Sequence, residues 1–379
     1  VTTVAPAKGK RPRNRRALIL AAAADLFYRD GYARVTMADV AAAVSVGPSA
    51  LYRHFRGKAE LLVDVVVAGV EPFEQVEAGE DMLAKLAVVA VQQRQLGVLW
   101  QRETRHLPAA DRRMLRHRLR NGMAAYARHL RANRDLSPTQ ATFLALATFG
   151  MLTSISYHRL ELPHDEYARL LTELGDAIAR TDLPDIGSAP RESTRLAARS
   201  RREALLATAA VLFADNGYAT ASLRDIGAGV DIAGPSIYHH FDSKLELLVA
   251  VMNRGAEWLR MDLARALAAA SGAADALSQL IRSYAGFALE HRELVDVLVT
   301  EVAHLPEPER HRARQTQHDY VSEWVHLVRS QNPALDDTCA RIRVQAVLAI
   351  VNDIARTPRL RHADGIADAL HAVGTAVLR

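Results

Sequence analysis

The sequence predicts an all-α chain in which one helical subunit occurs twice in tandem. Each copy opens with a three-helix domain and continues as a longer helical domain. Three observations predict it. Residues 16–62 align with 202–248 at a constant offset of 186 without a gap, and 20 of those 47 positions are identical. The likeness resumes further on: Glu103, His106, Leu107 and Pro108 match Glu301, His304, Leu305 and Pro306 at offset 198, and Ile155 matches Ile354 at offset 199. Within each copy, apolar residues recur at three- and four-residue spacing, the period of a helix with one buried face. Self-similarity on this scale means that a whole subunit was duplicated. With 379 residues and 49% hydrophobic content, the chain can build more than one core.

The first helix follows from Ile19, Ala22, Ala23, Leu26 and Phe27, and its twin from Leu205, Thr208, Ala209, Leu212 and Phe213. Asp30-Gly31 and Asn216-Gly217 end these helices, because glycine adopts the left-handed cap conformation without a Cβ penalty. Thr36-Met-Ala-Asp39 and Ser222-Leu-Arg-Asp225 are capping boxes, so a second helix starts at each and ends near Val44 and Val230. Gly47-Pro48 and Gly234-Pro235 mark entry to a third helix, which carries Leu51 to Phe55 in one copy and Ile237 to Phe241 in the other. Two short helices joined by a tight turn, with an earlier helix across them, form a helix-turn-helix, whose last helix can enter a DNA major groove. Val46, Leu51 and Phe55 would hold the turn.

Longer helical patterns follow at about 58–77, 82–106, 111–134, 138–158 and 164–181, and the second copy repeats them. The resulting division is a basic arm at 1–12, helix-turn-helix domains at 13–57 and 198–243, longer helical domains at 58–181 and 244–379, and a linker at 182–197. Pro184, Gly187 and Pro190 mark that linker. Lys8, Lys10, Arg11, Arg13, Arg15 and Arg16 read as an arm that reaches phosphates or a minor groove. Residues 1–60 carry a net charge of +7, while residues 191–246 carry zero. Phosphate neutralisation dominates non-specific affinity, so the first copy should supply most of it.

Other classes are disfavoured. Cys339 is the sole cysteine, which fits a reducing compartment, and no signal peptide pattern opens the sequence. The longest apolar stretch, 141–155, is too short and too rich in threonine to span a bilayer. The expected location is therefore the cytoplasm. There is no HExxH, no GxSxG, no phosphate-cradling glycine loop and no zinc-type cysteine spacing. No enzyme activity, cofactor or metal is expected. The alternatives kept are a protein that sequesters a hydrophobic compound without regulatory DNA binding, and an activator of the same fold.

The string Val44-Ser-Val-Gly-Pro-Ser-Ala-Leu-Tyr-Arg-His-Phe-Arg-Gly-Lys-Ala-Glu-Leu-Leu62, and its counterpart Val230 to Leu248, resemble the DNA-binding signature of TetR-type transcriptional regulators. The tandem arrangement is similar to a double-TetR subgroup, some of whose members regulate lipid or sterol genes. The resemblance implies DNA contacts from Thr36, Ser49, Tyr52, Arg53, His54 and Lys58. In the second copy it implies Ser222, Pro235, Ser236, Tyr238, His239, His240 and Lys244, and Lys10, Arg11 and Arg13 of the arm would assist. Hydroxyls and lysines suit phosphates, and Arg53 and the histidines suit base edges. The resemblance also implies a double-stranded operator, repression relieved by a small and mainly apolar effector, and a four-helix interface that makes the chain an internal pseudo-dimer. Whole chains could associate further. Trp100, His106, Phe143, Phe149 and Tyr157, with Trp258, Tyr284, Phe287, His304 and Trp324, are the candidate cavity residues. Each of these also reads as ordinary core.

Overall fold

The computed structural model describes residues 15–187, 200–231 and 234–379. The described residues contain helices and turns and no β-strand. They divide into two compact units, residues 1–125 and 126–379. That division falls inside one helix rather than between the two sequence copies. The arm residues Lys10, Arg11 and Arg13, and the linker from residue 188 to 197, lie outside the described residues.

The first unit begins with α1 (Arg15–Asp30), α2 (Met37–Ala43), α3 (Pro48–Leu51) and α4 (Lys58–Glu74). Gly31 ends α1 at φ +82°, as its glycine requires. Thr36 caps α2: its hydroxyl accepts from the Asp39 amide, and the Asp39 carboxylate accepts from the Thr36 amide. Phe27, Val40, Leu51, Phe55, Leu61 and Val66 close one core among these helices. Each such side chain stabilises the unit by about 1.5–3 kcal/mol when fully buried. α5 (Met82–Gln92), α6 (Leu96–Val98) and α7 (Ala109–Asn133) follow. The single helix expected over 82–106 is therefore broken. The chain turns at 93–95, and a wide helical turn (Leu99–Glu103) and a tight one (Thr104–His106) complete the span. The apolar period runs on through Leu96, Val98 and Leu99, all buried, so periodicity could not reveal the break.

The second unit holds the end of α7, then α8 (Pro138–Ser154) and α9 (His164–Arg180). The second copy follows with α10 (Arg201–Asn216), α11 (Leu223–Ala228), a tight helical segment (Gly234–His239), α12 (Lys244–Ala269), α13 (Ala273–Glu290) and α14 (Arg292–Thr300). It ends with α15 (Glu307–Gln331), α16 (Asp337–Ala355), α17 (Pro358–Arg361) and α18 (Ile366–Leu378). α8 packs along α16, and α9 packs on α18. α8 is buried on nearly every side, from Ala141 and Phe143 through Thr148, Gly150 and Met151 to Ser154, because it faces its own copy and α16 at once. At Gly150 the helices come so close that a Cβ would lie 3.2 Å from the Ile350 Cα. Residues 182–187, expected as free linker, are seated. The Gln140 side-chain amide donates to the Pro184 carbonyl at 3.2 Å, Ile186 is buried, and the Gly187 amide donates to the Asp364 carbonyl at 3.0 Å. Gly365 sits at φ +78°, where any Cβ would meet the Asp185 carbonyl oxygen at 2.3 Å. No described helix is long and apolar enough to cross a membrane.

Candidate nucleic-acid interface and effector cavity

In the first copy the turn between α2 and α3 passes through Ser45 at φ +54°, and in the second through Asp231 at φ +56°. Both lie in the left-handed region that short polar side chains tolerate best among non-glycine residues. They are equivalent at offset 186. Nothing in the local sequence marks these two positions, since neither is a glycine. The third helix is shorter than expected. α3 stops at Leu51, and Tyr52 to His54 continue as a turn whose His54 and Phe55 amides donate to the Leu51 carbonyl. The buried Phe55 holds this turn down from its far end.

The turn projects its polar side chains outward. Tyr52 is 56% and Tyr238 57% exposed, which disfavours packing as the role of either phenol. Ser49, Arg53, His54 and His239 are also exposed, and Thr36 is an exposed cap. Ser222, Ser236 and His240 are half-buried, and Ser222 caps α11 as Thr36 caps α2. The Pro235 side chain is outside what the structure describes.

The two lysines are placed differently from the rest. Lys58 Nζ donates to the Tyr32 carbonyl at 2.8 Å and the Val35 carbonyl at 3.0 Å, and sits 4.2 Å above the Tyr32 ring. Lys244 Nζ lies 3.4 Å from the Ala219 carbonyl and 4.4 Å from the Tyr218 ring centre. Burial lowers the pKa of each ammonium, against the pull of Glu103 and Glu301. These lysines brace the loop before α2 and α11, so a phosphate contact would compete with bonds already made.

The same loop is held from behind. Glu103 is buried and accepts from the Tyr32 amide at 2.8 Å, and Glu301 accepts from the Tyr218 amide at 3.1 Å. His106 stacks on Tyr32 with ring centres 5.3 Å apart, and His304 lies 5.2 Å from Tyr218. The repeated Glu, His and Pro pattern is thus a joint between each reading head and the helices that follow it. His106 and His304, expected as cavity residues, are here set against Tyr32 and Tyr218.

A cavity of about 640 Å³ opens in the second copy, walled by Met252, Leu259, Val295, Leu298, Val302 and Val321 with the phenols of Tyr284 and Tyr320. Its polar edge includes Arg260 and Arg312. Of the candidate cavity residues only Tyr284 lines it. Its hydroxyl donates to Asn352 Oδ1 at 2.8 Å, and burial raises its pKa to about 12. Trp324 is fully buried behind Tyr284 and Tyr320, Phe287 is fully buried, and the half-buried Trp258 stacks on Phe287 at 4.4 Å. Phe143 is fully buried, Phe149 meets the Tyr126 ring edge-on, and Trp100 packs on the core of the first reading head. Tyr157 lies near the Arg356 guanidinium.

Helix α14 borders that cavity and also holds a partly buried charge cluster that periodicity could not announce. Arg292 bonds Asp215 on α10 at 2.9 Å, and Asp296 pairs with Arg356 on α16. Burial opposes the Arg356 charge, but Asp296 and Asp353 outweigh it and raise its pKa.

Comparison with known proteins bears on both features. Residues 19–65 and 205–251 each match the family described as bacterial regulatory proteins, tetR family. Residues 270–356 match a tetracyclin repressor-like C-terminal domain. The chain is 28% identical over 166 residues to the HTH-type transcriptional activator FasR of Mycolicibacterium smegmatis, spanning 44% of this chain and 75% of that protein. It is 35% identical over 105 residues to the HTH-type transcriptional repressor KstR2 of the same organism, spanning 27% of this chain and 50% of that protein. A TetR-family transcriptional regulator structure from Bordetella parapertussis aligns at 18% identity and a TM-score of 0.42, over 47% of this chain and 95% of that one.

Proposed function

Since the chain is a tandem member of the tetR family of bacterial regulatory proteins, we propose that it controls transcription by setting both of its recognition turns on one operator. The observation that carries this reading is the exposed Tyr52 and Tyr238, each presented beside its capped helix at equivalent places in the two copies. Thr36, Ser49, Arg53 and His54 would complete the first contact surface. Ser222, Ser236, His239 and His240 would complete the second. The packing of α8 and α9 on α16 and α18 supports pairing of the two copies within one chain. The effector we propose is mainly apolar, because the cavity wall is mostly aliphatic and aromatic. Its sign of action is release from DNA, as the repressor name of the KstR2 relatives suggests. α14 would carry the signal, since it borders the cavity and is tied to α10 through Arg292 and Asp215.

Genome-wide selection of bound fragments followed by footprinting tests the DNA reading. Tyr52→Ala combined with Tyr238→Ala should abolish footprints while circular dichroism stays helical. Unchanged footprints would sink the reading, and a protein that binds apolar compounds but no DNA fragment would favour sequestration. A thermal-shift screen tests the effector, because a ligand specific to the folded state raises the unfolding midpoint. Hits confined to small polar compounds would overturn the apolar assignment.

A further inference from the structure

The two copies meet through faces that their common origin made alike, yet one charged pair breaks the likeness. α8 and α16 are equivalent at offset 199: Thr139, Ala141, Ala147 and Ile155 match Thr338, Ala340, Ala346 and Ile354. At the same offset Gly175 of α9 matches Gly374 of α18. Arg343 on α16 is buried, at 6% exposure. One of its terminal nitrogens donates to the Val377 carbonyl at 2.9 Å, and the other pairs with Glu173 on α9 of the first copy. Among the described residues Glu173 is the only acid paired with this guanidinium. The equivalents of Arg343 and Glu173 are Leu144 and Ala372. The bridge therefore has no pseudo-symmetric partner.

We infer that Glu173 and Arg343 specify which halves may pair: a first copy with a second copy, and neither with its own kind. The inference rests on the internal pairing proposed above. Two second copies pairing through the same faces would bury two guanidiniums opposite Ala372, with no carboxylate from across the interface. A buried charge without a partner is strongly disfavoured. Two first copies would set the exposed Glu173 opposite Leu144 and lack the bridge, and each such pair would leave two second copies to bury their guanidiniums together. A second feature acts in the same direction. Gly150 fits where a Cβ would come 3.2 Å from the Ile350 Cα and 3.3 Å from an Asp353 oxygen. Its equivalent is Ala349, so a pairing of two second copies would place a methyl group at both close crossings. Discrimination between partners that share a face comes from penalties of this kind against the wrong one.

The test uses the full chain with a protease site placed within residues 188–199, cut after folding, then diluted and reconcentrated so that halves can exchange. Native mass spectrometry separates the three pairings, since the halves differ in mass. The wild type should keep roughly nine-tenths or more of its halves in mixed pairs, whereas Arg343→Leu with Glu173→Ala should raise the like pairs at least about twofold, toward the statistical share of about half, with the Gly150 crossing holding them below it. Glu173→Arg with Arg343→Glu should restore mixed pairing, and helical circular dichroism checks that each variant is folded. Like pairs forming equally in the wild type, or failure of the reversed pair to restore mixing, would overturn the inference and leave internal pairing standing. Halves that separate into single pieces would overturn both.

Discussion

Arg53 in the first reading head stands at the place that His239 holds in the second, and both are exposed. An arginine can bond guanine through two nitrogens, a contact worth about 1–3 kcal/mol of discrimination that a neutral histidine cannot reproduce. Arg53→Ala should relax base preference in one half-site by about tenfold or more and leave the other unchanged, as read by binding to a library of operator variants. Equal relaxation in both halves would refute this. Lys58 leads to the opposite expectation, because its ammonium already bonds two carbonyls. Lys58→Met should cost about 1–2 kcal/mol of unfolding free energy while the salt dependence of DNA binding keeps its slope. A flattened slope would return the lysine to phosphate. His371 on α18 supplies the pH dependence. Burial, then Arg282, lowers its pKa against the pull of Asp368, and its ring lies 2.8 Å from the Ser278 hydroxyl. The unfolded chain then holds more protons between the folded pKa and 6.5, so stability falls as pH drops through that window. The unfolding midpoint should decline from pH 7 to pH 5, and His371→Gln should lessen the decline. The outward residues of the reading heads could be read from the sequence because the turn motif places them. The lysine bonds could not, because they depend on how a later helix folds back on an earlier loop.

Helix boundaries divide along the same line. Local signals fixed the starts of α2, α8 and α11, where a hydroxyl and a residue three places on satisfy each other's backbone. The early stop of α3 and the break at 93–95 come from packing, which a single strand of text does not carry. α14 shows the difference most clearly. Its Val295 and Leu298 have helical spacing and border the cavity, as a periodic reading would allow. Its Arg292 and Asp296 look like a surface pair at i and i+4, yet they connect Asp215 on α10 to Arg356 on α16. Arg292→Gln should leave effector affinity within about threefold, while weakening the effector's influence on DNA affinity by about fivefold or more. Calorimetry for the effector, and DNA binding with and without it, would measure both. Full coupling in the variant would remove α14 from the signal path.

Pairing of two copies within one chain predicts that DNA occupancy tracks chain concentration linearly at low dose, with no lag from subunit association. Titration at picomolar DNA should give a simple hyperbola, and light scattering should give the mass of one chain. A sigmoid curve that sharpens on dilution would show that separate chains must meet first. The duplication itself was plain in the sequence, because ungapped identity survives in the reading heads. Glu173 and Arg343 were not, since each is an unremarkable charge until the two copies are laid on one another in space. Their placement has a consequence in time. A chain grows from its N-terminus at about 5–20 residues per second, and roughly 200 residues separate the end of α9 from the end of α18, so the first half waits about 10–40 seconds for its complement. During that wait the flank of α8 that α16 will cover is bare, and the nearest bodies are identical unfinished chains on neighbouring ribosomes of the same message. In such an encounter the exposed Glu173 meets Leu144 and no guanidinium, and the nascent half can form this bridge only once its own second copy emerges.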